Sequence, residues 1–218
     1  MTYVLRGKGT RLYGFALIIL AVVIIAGSTI NGGWREGLFA LPLSTTVTAV
    51  AWLAYFNPRL AVTNLSSQES TTPTANGTSA GLYIVNPART FVVPWNDLDY
   101  VENRWGMVVH TVSGKTIHVW AIPSRAGIFE NSVRESKVVE SDVDWNADAS
   151  SYVPLIVSVR RAILIVESQH ARLKSALKKH TNQRRALDPI DPTTTTSFNV
   201  LPLAFLLVSL ASAIYMWL

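Results

Sequence analysis

Three stretches of this chain carry no charged side chain at all: residues 12–30, 38–56 and 198–218. About 20 apolar residues in a helix span the ~30 Å hydrocarbon core of a bilayer, and each stretch has about that length. The sequence therefore predicts three transmembrane helices, at about 12–30, 38–56 and 198–218. Pro42, Ser44, Thr45, Thr46 and Thr48 interrupt the second stretch, so a re-entrant segment is the competing reading there. Hydroxyls can return to helix carbonyls, however, and a proline in the first turns is tolerated best. A cleaved signal peptide competes for the first stretch. Arg6, Lys8 and Arg11 precede it, and Ala26, Gly27 and Ser28 lie near its end. Its apolar part exceeds the ~7–15 residues of a signal core, which favours a retained helix.

Charged residues make up 15% of the chain, against ~25% in an ordinary soluble domain. The deficit comes from the apolar stretches, and the cations beside them set an expected topology. Arg6, Lys8 and Arg11 precede the first stretch, and Arg35 and Glu36 cancel in the turn before the second. Arg59 follows the second, and Lys178, Lys179, Arg184 and Arg185 precede the third. The positive-inside rule then places the N-terminus and the middle of the chain in the cytoplasm and the C-terminus outside. This makes a multi-pass protein of the cell membrane, with an anchor at 1–57, a cytoplasmic domain at 58–186 and a linker at 187–197. The chain has no cysteine. Disulfides, thiol catalysis and thiolate-bound metals are thereby excluded.

The middle domain begins as strands. Residues 59–64 and 82–85 read as strands, 86–89 (Asn-Pro-Ala-Arg) form a turn, and 90–93 run back to Pro94. Further strands are expected at 98–103, 107–112 and 116–122. Residues 66–79, rich in Ser, Thr, Asn and Gly, read as a loop insert. Residues 135–148 are acidic and read as a solvated loop. The period then changes. Ile156, Val159, Ile163, Val166, His170, Leu173 and Leu177 follow three- and four-residue steps, which predicts a helix over about 151–185. At 1.5 Å per residue that is roughly 45–50 Å, longer than capping a small barrel requires.

Two apolar stretches, then a meander carrying Val93-Pro94-Trp95-Asn96-Asp97-Leu98, then a Gly-turn hairpin ending Trp120-Ala121-Ile122, resemble a known family. It is the bacterial pleckstrin-homology (PH-like) membrane protein, of the actinobacterial low-molecular-weight protein antigen type. The resemblance covers roughly residues 13–128. It implies an all-β/α PH-like barrel capped by a long C-terminal helix. The Ser/Thr insert and the third apolar stretch depart from that pattern. Read from the residues alone, Pro94 ends a strand, Trp95 is a core plug and Asp97 caps the next turn, so Pro94, Trp95, Asp97 and Leu98 are structural.

No catalytic, cofactor-binding or metal-binding constellation emerges. Gly7-Lys8-Gly9-Thr10 lacks the spacing of a phosphate loop. His110 and His118 face each other if the hairpin loop is 113–115, and separate if it is 113–114. Even facing, two ligands fall short of a metal site. The apolar stretches hold no ionisable group, which disfavours transport. The net charge of +5 is uneven. Arg160, Arg161, Arg172, Lys174, Lys178, Lys179, Arg184 and Arg185 oppose only Glu167. Of these, Arg172, Lys174, Lys178, Lys179, Arg184 and Arg185 are the candidate contacts for anionic headgroups or an acidic protein partner. A plain solvated face is the competing reading. Nucleic acid is disfavoured, because no aromatics interleave with these cations.

The sequence thus predicts a non-enzymatic, membrane-anchored interaction or scaffolding module without cofactor. Its partners are membrane lipids and an unidentified membrane or cytoplasmic protein. The alternative is an accessory subunit of a larger membrane complex.

Overall fold

The computed structural model describes residues 2–7, 10–63, 81–123, 152–181 and 193–217. The 66–79 insert, the acidic 135–148 stretch, residues 187–192 of the linker, and Arg184 and Arg185 lie outside the described residues.

In chain order the elements are β1 (Thr2–Gly7), α1 (Thr10–Ala51) with a π-helical turn (Trp52–Phe56), β2 (Arg59–Thr63) and β3 (Gly81–Val85). Then come β4 (Arg89–Pro94), β5 (Leu98–Asn103), β6 (Gly106–Thr111), β7 (Thr116–Pro123) and β8 (Tyr152–Val157). Helix α2 (Val159–Thr181), β9 (Thr195–Phe198) and helix α3 (Val200–Trp217) complete the chain. They divide into two compact units. One comprises Met1–Lys8, Arg59–Val85 and Thr90–Thr196, the other Gly9–Pro58, Asn86–Arg89 and Ser197–Leu218.

The first unit is built on two sheets. One has the order β8-β1-β2-β3-β4-β9, the other β5-β6-β7. Alternation sets the faces. Tyr3 and Leu5 of β1, Leu60 and Val62 of β2, and Leu82 and Ile84 of β3 are all buried in one core. Val109, Ile117 and Val119 of the second sheet join the same core. Helix α2 packs on β5, β6 and β7, burying Val159, Ala162, Ile165 and Val166 at helical spacing. Ser158 starts α2: its carbonyl accepts from Ala162 N at 3.0 Å, and its hydroxyl accepts from Arg161 N at 3.3 Å. This is a serine N-cap.

The position of β1 matters most. It is an inner strand, antiparallel to β2 (Thr2 opposite Thr63, Leu5 opposite Leu60) and parallel to β8 (Thr2 opposite Tyr152, Gly7 opposite Val157). The strands before and after the apolar run are therefore neighbours, with opposed Cα atoms only about 5 Å apart. A run flanked in this way has to return to where it began.

The second unit shows how it returns. The helical run Thr10–Phe56 has 47 residues, but Gly33 interrupts it at φ 82°, ψ −176°. Only glycine takes that conformation readily. The two arms, 10–32 and 34–56, pack on each other. Ser44 Oγ donates to Ala21 O at 3.1 Å, Phe15 and Phe56 meet edge to face at 5.2 Å, and Tyr13 lies 6.1 Å from Tyr55. The hydroxyls of Thr45 and Thr46 donate to Pro42 O, each at 2.8 Å, as expected of hydroxyls in an apolar helix. Helix α3 packs against α1. Asn199 holds its start: Asn199 N donates to Ala88 O at 3.0 Å, and Nδ2 donates to Asn86 O at 2.7 Å.

Four expectations are corrected. First, three transmembrane helices are not found. Among the described residues one helix, Thr10–Phe56, is long and apolar enough to cross a membrane. Residues 12–30 and 38–56 belong to that single bent run. The third stretch loses Phe198 to β9 and Asn199 to the cap of α3, leaving Val200–Met216 below the length of a span. The external C-terminus rested on that span and falls with it. Second, the strands do not form one meander. Two sheets are present, with a parallel β1–β8 pair and a strand drawn from the N-terminus. Third, the capping helix is not 151–185. Residues 152–157 form β8, and the Ser158 cap starts the helix later. Fourth, Arg6 belongs to a strand rather than to a membrane flank.

Candidate functional site

Pro94-Trp95-Asn96-Asp97-Leu98 forms a tight turn between the sheets. Asp97 N donates to Pro94 O at 3.0 Å. Trp95 and Leu98 are each 3% exposed, and Trp95 Nε1 donates to Thr63 O at 3.2 Å. The indole stacks on His170 of α2 at 6.3 Å and 16°. Burial is the first cause that holds the His170 imidazole below its ordinary value. Lys174 pushes the same way, and Asp99 opposes both.

Asp97 is 2% exposed. Its carboxylate accepts from Ser113 N, Ser113 Oγ and Thr194 N, each at 2.9 Å, and from the Thr194 hydroxyl. Its carbonyl accepts from Val112 N at 2.8 Å. Lys115 Nζ donates to Thr194 O. Burial alone would push this carboxyl up. The hydrogen bonds from Thr194 and Ser113 outweigh it and hold the group below 3.8. A buried carboxylate with four donors has no capacity left for substrate, so Asp97 acts as a clasp on the β6–β7 turn and on residue 194.

The clasp also fixes the register of the β6–β7 hairpin. His110 lies opposite Thr116 and Val108 opposite His118, around a Val112–Ser113–Gly114 loop. Neither register weighed from the sequence is adopted. The core side still holds Val109, Thr111, Ile117 and Val119, all buried.

This register assembles a cluster across β5, β6 and β7 that the His110–His118 pairing hid. The His110 ring stacks on Tyr100 at 4.3 Å and 9°. His110 Nε2 lies 3.1 Å from Glu102 Oε1, and Thr116 Oγ1 lies 3.4 Å from His110 Nδ1. With Nε2 protonated, the imidazole donates to Glu102 and accepts from Thr116. The sequence hydroxyl–imidazole–carboxylate has the order of a nucleophilic triad, but a triad also needs donors placed for an oxyanion. These side chains stand on an outer sheet face, where Tyr100 and Trp120 are half exposed. The cluster can hold a flat aromatic surface with a fixed carboxylate beside it, which suits recognition. Among the described residues no group of three or more His, Cys, Asp or Glu is placed to hold a metal.

Four of the basic candidates, Arg172, Lys174, Lys178 and Lys179, belong to α2. Arg172 and Lys174 are exposed on α2 together with Arg160 and the opposing Glu167. Lys178 and Lys179 lie in the last turns of the helix. The turn at the far end of β5 carries Trp105, 88% exposed, which the sequence reading passed over. Comparison of the chain with protein-family models, curated proteins and solved structures found no match.

Proposed function

We propose that this chain is a membrane-anchored interaction module, with its two-sheet domain at the cytoplasmic face and the bent apolar run held in the bilayer. The single observation that carries the reading is β1. A run placed between two neighbouring inner strands leaves and re-enters the domain on one side. Each arm, at 1.5 Å per residue, is about 34 Å long, close to the ~30 Å hydrocarbon core. The charged residues of the run, Arg11, Arg35 and Glu36, fall at its start and just past the Gly33 bend. Signal cleavage near residues 26–28 would remove β1, and with it the buried Tyr3 and Leu5. That supports a retained anchor. The cytoplasmic side rests on the cations flanking the run, Lys8, Arg11 and Arg59. A binding role draws its support from the Tyr100–Glu102–His110 face and the exposed cations of α2, which suit a protein or anionic headgroup partner. The PH-like resemblance, resting on Pro94, Trp95, Asp97 and Leu98, remains part of this proposal.

The test is alkaline extraction of membranes carrying the full chain, followed by intact mass measurement. The expected result is a pelleted protein with its first strand in place. A chain released to the supernatant, or one beginning after about residue 26, would end the proposal.

A further inference from the structure

One turn of the domain adopts a conformation that its residue resists. The β5–β6 hairpin turns through Arg104, Trp105 and Gly106, with Asn103 opposite Met107 and Arg104 N donating to Gly106 O at 2.9 Å. Trp105 stands at φ 57°, the one non-glycine residue with positive φ among the described residues. Glycine or asparagine takes that region readily, and a bulky side chain does not. Burial does not compensate, for Trp105 is the most exposed large hydrophobic side chain described, at 88%. Its neighbours Asn103 and Arg104 are exposed as well. The indole neither eases the turn nor fills the core. It projects.

We propose that the Arg104–Trp105 turn is a second membrane contact, in which the indole seats at the headgroup–acyl boundary and the Arg104 guanidinium meets lipid phosphate. This rests on the reading that the apolar run is embedded. A protein hot spot clusters centrally, inside a ring of packed contacts. A single indole on a protruding polar turn, with one cation beside it, instead matches the chemistry of the bilayer interface. Tethering by the anchor also keeps lipid at high effective concentration, so one shallow side chain suffices.

The absence of cysteine allows a clean test. An Asn103→Cys chain, labelled with an environment-sensitive fluorophore, is reconstituted at full length into phosphatidylcholine vesicles with and without phosphatidylglycerol. Co-flotation with the vesicles is scored separately. The expected result is a blue-shifted emission quenched by bromine-labelled lipid, and loss of both in an Asn103→Cys, Trp105→Asn chain. Asparagine suits the left-handed turn, so misfolding would not account for that loss. Arg104→Gln is expected to weaken quenching only where anionic lipid is present. Co-flotation with a water-like emission would overturn this inference alone. Failure to co-float would overturn both it and the anchor on which it rests.

Discussion

Replacing Asp97 with alanine removes one acceptor group from four donors, and those donors differ in what happens next. Ser113 is exposed, so its amide and hydroxyl can turn to water. Thr194 is 3% exposed, and its amide and hydroxyl would be left without the carboxylate. An unsatisfied buried donor costs about 1–3 kcal/mol, so the two Thr194 groups set the scale at about 2–6 kcal/mol. Ser113→Ala, by the same reasoning, costs under about 1 kcal/mol. Unfolding of the purified full chain in micelles, followed by tryptophan fluorescence, measures both values. Hydrogen exchange at the Thr194 amide localises the effect. An Asp97→Ala shift below about 1 kcal/mol, with Thr194 still protected, would refute the clasp. Acid adds a second signature. The folded carboxyl is held below 3.8, so its contribution is complete above that value and is lost as pH falls through the lowered folded value. Asp97→Ala removes that part of the acid limb.

Three further outcomes are expected. His170 is held below its ordinary 6.5, so the unfolded chain takes up the proton first and stability declines as pH falls below that value. His170→Phe, which keeps a ring against Trp95, is expected to flatten the decline between about pH 7 and 5 in thermal unfolding at stepped pH. Gly33→Ala forces a side chain into φ 82°, ψ −176°, at a cost of about 1–3 kcal/mol. Oxidative cross-linking of an Ala21→Cys, Ser44→Cys pair should fall in that background. Unchanged cross-linking would mean that the bend does not depend on glycine. Gly81→Ala places a Cβ 2.3 Å from Val93 O, and denaturant unfolding is expected to show a loss of about 1–3 kcal/mol.

What the sequence disclosed was local. Strands β2 to β7 are short runs rich in β-branched and aromatic residues, bounded by signals such as Asn57-Pro58, Asn86-Pro87 and Pro94, so nearby residues suffice to find them. The turn roles of Trp95 and Asp97 follow from the same kind of signal. Strand β1 is different. Tyr3 and Leu5 alternate, but Arg6, Lys8 and Arg11 beside them look like a membrane flank. Only pairing with β2 and β8, distant in sequence, makes Thr2–Gly7 a strand. Strand β8 was hidden by a helical pattern that extends backward through Ile156, past the Ser158 cap. The Tyr100–Glu102–His110–Thr116 cluster needs a register that Asp97 imposes from outside the hairpin, through Val112 N and Ser113 N. No spacing rule within 107–122 contains that information.

The β1–β2 pair is, in its ladder, an ordinary antiparallel hairpin whose loop happens to be the whole apolar run. Trimming the chain before Arg59 to obtain a soluble domain would discard a central strand and leave Leu60 and Val62 beside an open edge. Joining Gly7 to Arg59 through a two- to five-residue turn, of the kind that ordinarily closes hairpins, keeps the ladder and removes only the loop. The two-sheet domain and the apolar run are thus separable by excision, though not by truncation.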